Sequence, residues 1–260
     1  MGAREDLLLR ALRLTGVDGR AHVAWTMQPS NITLTDAARR VVSATMRIRC
    51  LGPLGAAEEG RDLTLGGPKQ RLLLAHLVIH ANEVVGVDRL IAAVWGDDPP
   101  RAVRSSLQSF VSHLRKAVGP DRIEGRGRGY ALRVATDEVD RMRFEALVAR
   151  ERTLRATDPA AAVKVLTEAL DLWQGTPFAD LSDAESLQPE ITRLGEVRAA
   201  AIEDRVAAEL DRGRGPELVA ELEARTAESP LRERAWVLLM VALYRSGRQA
   251  DAPRRIRSRS

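Results

Sequence analysis

A single cysteine, Cys50, stands in a chain of 260 residues, which excludes an internal disulfide and fits a reducing compartment. Cys50 reads as a small buried hydrophobe on a strand. Aromatic residues make up only 3%, and the Ala, Leu, Arg and Glu that take their place favour helix. No apolar run approaches the ~20 residues of a membrane span. The opening MGAREDLLLRALRLTG has early acidic residues and too short an apolar core for a signal peptide. The expectation is therefore a soluble, cytoplasmic protein with no membrane partner. Histidine is scarce too, with only His22, His76, His80 and His113. His76 and His80 are four apart, the spacing of two metal ligands on a helix. No third ligand at compatible spacing joins them, no HExxH motif is present, and they read as surface or half-buried helix residues. No Ser/His/Asp set or paired carboxylates stand out. Neither an enzyme, a metal site nor a cofactor is expected.

What the chain does have is charge in an uneven arrangement. The net charge is only +4. Between Arg101 and Arg133, however, eight basic residues face only Asp121 and Glu124, a local net of +6. From Val139 to Ala250 the acids lead by 20 to 16. A basic segment beside a mildly acidic one suggests a polyanion-binding module joined to a module of another kind.

The pattern along the chain supports that division. Residues 1–45 show no sustained period beyond a short helix at Thr35 to Thr45, and read as a poorly ordered extension. From Met46 to Leu65, short alternating runs broken by Gly-Pro and Gly-Gly predict antiparallel strands. Helices are predicted from Pro68 to about Asn82, from Val87 to Trp95, and from Ala102 to Val118. Leu72, Leu73, Ala75, Leu77 and Ile79 give the first its apolar face. In the third, Val103, Leu107, Phe110, Val111, Leu114 and Val118 form an apolar stripe at helical spacing. Its other faces carry Arg104, Ser105, Gln108, Ser109, Ser112, His113, Arg115 and Lys116, all donors or cations and none acidic. Beyond Asp137 the pattern is helical throughout, at roughly 140–156, 159–173, 184–212, 215–228 and 231–247. These paired helices suggest a tetratricopeptide-like array. Residues 253–260 read as a basic tail.

Between the two parts lies EGRGRGYALR, residues 124–133. Its alternating glycines resemble a phosphate-cradling loop, but a dinucleotide loop must open a helix. Here Gly129 leads into Tyr-Ala-Leu-Arg-Val, an alternating strand. Gly66-Gly67-Pro68-Lys69 likewise lacks the Walker spacing. Three helices, the last basic and polar on its open face, followed by a glycine-arginine hairpin, describe a winged helix. Gln, Ser, His and Arg on such a helix can reach base edges in the major groove, while Arg126 and Arg128 are drawn to phosphates. The competing interpretation is a helical-repeat interaction scaffold whose winged helix is non-functional.

The stretch HLRKAVG followed by GRGRGY resembles the recognition helix and wing of OmpR/PhoB-type DNA-binding domains. GGPKQRLLLAHLVIHANEVVGVDRLIAAVWGDDPP, LTEALDLWQGTPFADL and ELVAELEARTAESPLRERAWVLLMVALYRSGRQADA resemble the SARP group of actinobacterial transcriptional activators, over about residues 46–252. The resemblance implies a winged helix at 46–137 and a bacterial transcriptional activation domain at 138–252. It also implies an activator that binds double-stranded DNA at tandem direct repeats near a promoter, as a homodimer on the DNA. RNA polymerase holoenzyme, through its sigma factor and core subunits, would be its partner, and a secondary-metabolite (antibiotic) cluster its target. Ser112, His113, Arg115 and Arg126 match the DNA-contacting positions of that domain type, with His113 in place of a more usual arginine. The loop with Trp95, Asp97, Asp98 and Arg101 matches the segment facing polymerase. The chain differs from the group in the 45 residues ahead of Met46 and in ending at PRRIRSRS, where further helices are usual.

Overall fold

The computed structural model of the chain describes residues 46–248. The expected N-terminal extension with its short helix, and the basic tail, lie outside them. Strands β1 (Met46–Arg49), β2 (Gly55–Glu58) and β3 (Arg61–Asp62) form an antiparallel sheet in that order, with Met46 opposite Glu58 and Glu58 opposite Arg61. Glu59 and Gly60 join the last two strands at φ 51 and 80, the pair of left-handed conformations that lets a two-residue turn match the strand twist. Met46 and Ile48 point inward while Arg47 is exposed, as the two-residue strand period requires.

Helix α1 (Pro68–Ile79) starts on proline, whose missing N–H costs nothing at that position. The Gly67 amide ahead of it donates to Gln70 Oε1 at 2.7 Å. Every residue from Leu73 to Val78 is buried, His76 included. Helices α2 (Val87–Trp95) and α3 (Val103–Val118) cover one side of α1. Residues about 110 positions further along the chain also reach α1. His76 Nε2 lies 2.9 Å from Ser186 Oγ, and that hydroxyl donates onward to the Ala93 carbonyl at 3.0 Å. Asp180 accepts from Arg71 Nε at 2.9 Å and from the Leu54 amide at 2.5 Å.

After α3, strands β5 (Ile123–Arg126) and β6 (Gly129–Leu132) form a hairpin, and β4 (Val85–Gly86) completes an antiparallel sheet of order β4-β6-β5. The remaining elements are α4 (Asp140–Leu154), α5 (Pro159–Leu170), α6 (Gln188–Asp211), α7 (Gly215–Glu228) and α8 (Glu233–Arg245). The architecture is thus small antiparallel sheets with three helices, then a helical region. Asp158 caps α5 by accepting from the Ala161 amide at 2.9 Å. Helix α5 ends before the expected residue 173, because the chain there turns back to the first sheet. The Gln174 and Phe178 amides donate to the Leu51 and Cys50 carbonyls at 2.7 and 3.1 Å. The segment expected to open the long helix at 184 is a short 3-10 turn, Glu185–Leu187, and the α-helix begins beside Pro189.

One hydrophobic core runs without a break from Met46 in β1 to Ala201 in α6. A second, smaller core joins α6, α7 and α8 through Val206, Leu222 and Leu239. At the junction of the sheets and the helical region, the Asp140 carboxylate accepts from the Cys50 and Leu51 amides at 2.9 and 3.0 Å. Burial raises the Asp140 pKa, and it pushes the Cys50 thiol well above its ordinary range. No helix among the described residues is long and apolar enough to cross a membrane.

Candidate nucleic-acid interface

Helix α3 is amphipathic in the way its stripe requires. Leu107, Val111, Leu114 and Val118 are buried, and Val103 and Phe110 half-buried. At 100° per residue, the side chains of Arg104, Ser105, Gln108, Ser109, Ser112, Arg115 and Lys116 fall within one arc of about 140°. All of these are exposed except Arg115. This is one open face carrying hydroxyls, an amide and cations, with no carboxylate of its own. Arg104 at its N-terminal end is paired with Asp88 of α2 at 2.7 Å, both side chains largely exposed, so the pair adds little to stability.

Arg115 and His113 are placed differently from their neighbours. Arg115 Nε donates to the Ile123 carbonyl at 2.8 Å, and its guanidinium lies 6.0 Å from the Tyr130 ring centre. It therefore braces the hairpin from below as well as bordering the open face. His113 lies at the edge of the arc, half-buried, with Nε2 buried and lacking a hydrogen-bond partner. Its ring sits against Gly66, where an added Cβ would come within 2.9 Å of Nε2.

The hairpin settles what the glycines of EGRGRGYALR do. Arg126 pairs with Gly129, leaving a two-residue turn of Gly127 and Arg128. Gly127 has φ +56 and Arg128 does not share it, so the turn needs glycine at its first central position. At Gly129 a side chain is excluded for another reason: a Cβ would stand 2.5 Å from the Val85 carbonyl oxygen of β4. The glycines thus serve turn geometry and strand packing.

The arginines of the hairpin are exposed. Arg126 Nε lies 2.8 Å from Glu124, which also accepts from Arg133 Nε at 2.9 Å. Hydrogen bonding from Arg133 is the largest influence holding the Glu124 carboxyl below its usual range, and Arg126 adds to it. Arg128, at the tip, is exposed, while its carbonyl accepts from the Val87 amide at 2.9 Å.

Asn82, which the sequence reading passed over except as a helix end, is the anchor of the outgoing strand. It has φ 68 just past α1, and its side chain exchanges hydrogen bonds with the Val134 backbone at 2.9 and 3.2 Å. An asparagine directly after a helix is the available signal for such a left-handed cap. Trp95 is not in the loop but ends α2; it is only 8% exposed, its ring stacked 5.4 Å from Phe110 and beneath the Lys69 ammonium at 5.6 Å. Asp97, Asp98 and Arg101 are exposed. His76 is committed to Ser186, and His80 lies 3.6 Å from Glu83. Among the described residues no three His, Cys, Asp or Glu side chains converge as a metal site.

Two family profiles match this chain. The transcriptional regulatory protein C-terminal domain matches residues 60–132, from the turn before β3 to the end of β6. The bacterial transcriptional activator domain matches residues 139–257. The regulatory protein DnrI of Streptomyces peucetius is 32% identical over 219 residues, covering 80% of each chain. The chain belongs to the SARP-type transcriptional regulators. Other SARP-type relatives are longer. The regulatory protein AfsR of Streptomyces coelicolor is 40% identical over 212 residues, which is 81% of this chain and 21% of AfsR. The transcriptional regulatory protein EmbR of Mycobacterium tuberculosis is 40% identical over 213 residues, 78% of this chain and 54% of EmbR. The chain thus spans about a fifth of the one and half of the other. A solved structure of Mycobacterium tuberculosis EmbR, in complex with a low-affinity phosphopeptide, superposes with a TM-score of 0.78 at 37% identity, over 81% of this chain and 57% of that one. The family's names are those of regulators of transcription, not of enzymes.

Proposed function

We propose that this SARP-type regulator is a sequence-specific DNA-binding activator, with α3 as the recognition helix and the β5–β6 hairpin as the wing. The observation that carries this reading is the single open arc of α3, polar and basic and free of acids, lying beside exposed Arg126 and Arg128. Ser105, Gln108, Ser109 and Ser112 would meet base edges, His113 and Arg115 would border them, and Arg104, Lys116, Arg126 and Arg128 would meet phosphates. The binding site would be a tandem direct repeat near a promoter, occupied by two copies. The exposed Asp97, Asp98 and Arg101, on a loop held by buried Trp95, would face RNA polymerase holoenzyme. In this reading 46–137 is the DNA-binding domain and 138–252 a tetratricopeptide-like activation domain. The regulator would act in the cytoplasm, on the nucleoid, at a gene cluster for a secondary metabolite such as an antibiotic.

The test is selection of bound duplexes from a random library by the whole chain. The whole chain is required because α1 is also reached by residues beyond 138, so a fragment ending at 137 would expose His76 and its neighbours. Enrichment of a repeated motif at a fixed spacing is expected, and recovery of unenriched sequence would overturn the reading.

A further inference from the structure

Away from the interface, an open cleft of about 530 Å³ lies among the loop after α5, α6 and α7. Its size is that of a small-molecule site. Trp173, Pro177, Ile191 and Ile202 supply apolar lining, and Arg198 and Arg225 the positive charge.

Arg198 is the unusual member. The helical region is laced with ion pairs: Arg193 with Glu190 and Glu145, Arg205 with Glu209 and Glu221, and Arg232 with Glu196 and Glu203. Among the described residues, no carboxylate pairs with Arg198. Its guanidinium is stacked 4.8 Å from the Trp173 ring centre, and its Nε is buried without an acceptor. Trp173 Nε1 is likewise buried without an acceptor, so two donors of one cleft wall are left unmade. Buried donors are nearly always satisfied, and exceptions call for a cause. Arg225 stands close enough to disfavour the charge on Arg198. Burial is the first cause of its lowered pKa and Arg225 the second. Arg225 is paired at 3.4 Å with Glu221, which does not line the cleft, and Glu228 lines it without an ion pair to either arginine. Two cations therefore converge on a half-apolar cleft, and Arg198 has no carboxylate partner among the described residues.

We propose that this cleft binds a small molecule bearing a carboxylate on an apolar body. The carboxylate takes the guanidinium edge of Arg198, which stacking on Trp173 already orients, and Arg225 supplies the second charge. The apolar body lies against Pro177, Ile191 and Ile202. Guanidinium recognises carboxylate with two parallel hydrogen bonds, and prior stacking lowers the entropy lost when they form. The site is separate from α3 and the wing, and it does not depend on the proposed DNA binding.

The experiment is calorimetric titration of the full chain with benzoate, phthalate and citrate, with thermal unfolding measured in parallel. Benzoate or phthalate should bind and raise the unfolding temperature, and citrate, which lacks an apolar body, should bind more weakly. Arg198→Gln should weaken binding by about tenfold or more, with Arg198→Lys in between because it keeps the charge without the fork. Arg225→Gln, which leaves the Trp173 stack intact, should also weaken binding and serves if the first variant folds poorly. Duplex binding by Arg198→Gln should equal that of the unchanged chain, which keeps this test apart from that of DNA recognition. No binding up to about 10 mM probe, or equal binding by the unchanged chain and both glutamine variants, would overturn the proposal.

Discussion

Arg115 of α3 holds the carbonyl of Ile123 at 2.8 Å, so the helix proposed to read DNA and the hairpin proposed to flank it are joined by one side chain. A loss at this position acts on both. Arg115→Ala should weaken specific duplex binding by roughly 1–3 kcal/mol. It should also speed hydrogen exchange in β5, which a pure base contact would not. Arg115→Lys keeps the charge but not the geometry, and should resemble alanine in exchange more than in affinity. Exchange rates identical to those of the unchanged chain would remove the bracing role.

Glu124 neutralises Arg126 in the unbound structure, at 2.8 Å. That pair must open for Arg126 to meet a phosphate. Glu124→Gln should therefore raise affinity for any duplex and steepen the salt dependence. Arg126→Ala should weaken binding across sequences and reduce the salt slope by about one. Gel-shift titrations at several salt concentrations measure both. A change confined to one sequence would indicate base contact instead.

The glycines of the wing are unequal. A Cβ at Gly129 meets the Val85 carbonyl at 2.5 Å, whereas at Gly125 it meets nothing closer than 3.9 Å. Gly129→Ala should destabilise the fold by about 1–3 kcal/mol by forcing β4 from β6. Gly125→Ala should be close to neutral. Urea unfolding of the two variants separates them directly, and equal stabilities would refute the close approach.

Burial, with help from His80 and Arg89, lowers the His76 pKa from 6.5 to about 4. Its folded value is below its unfolded one, so the folded state resists its protonation. The associated stability is fully present above pH 6.5 and is lost as the pH falls towards 4, about 3 kcal/mol in all. His76→Gln should lose less stability than the unchanged chain between pH 7 and pH 4.5. Unfolding midpoints across that range provide the comparison, and parallel curves for the two chains would contradict it.

Much of this arrangement was legible in the sequence because it rests on local rules. The stripe from Leu107 to Val118, the proline at the start of α1 and the glycine-arginine turn each follow from spacing or residue type. Most helix ends in the second half lay within two or three residues of those expected. Strand β4 was not legible: Val85-Gly86 is too short to show alternation, and only its pairing with Tyr130 and Gly129 makes it a strand. The burial of His76 was equally hidden, because Ser186 comes from 110 residues away. The brace made by Arg115 depends on where the hairpin returns, which no pattern within α3 encodes. The family resemblance grouped Trp95 with Asp97, Asp98 and Arg101, but packing against Phe110 separates it from them.

The measurement closest to the central claim is the affinity of the full chain for a selected duplex between 50 and 200 mM salt. With ~6 phosphate contacts per copy, affinity should fall about a thousandfold across that range, and by less for the double variant Arg126→Ala, Arg128→Ala. Binding that stays constant with salt, or that falls equally in the double variant, would contradict an interface built from α3 and the wing.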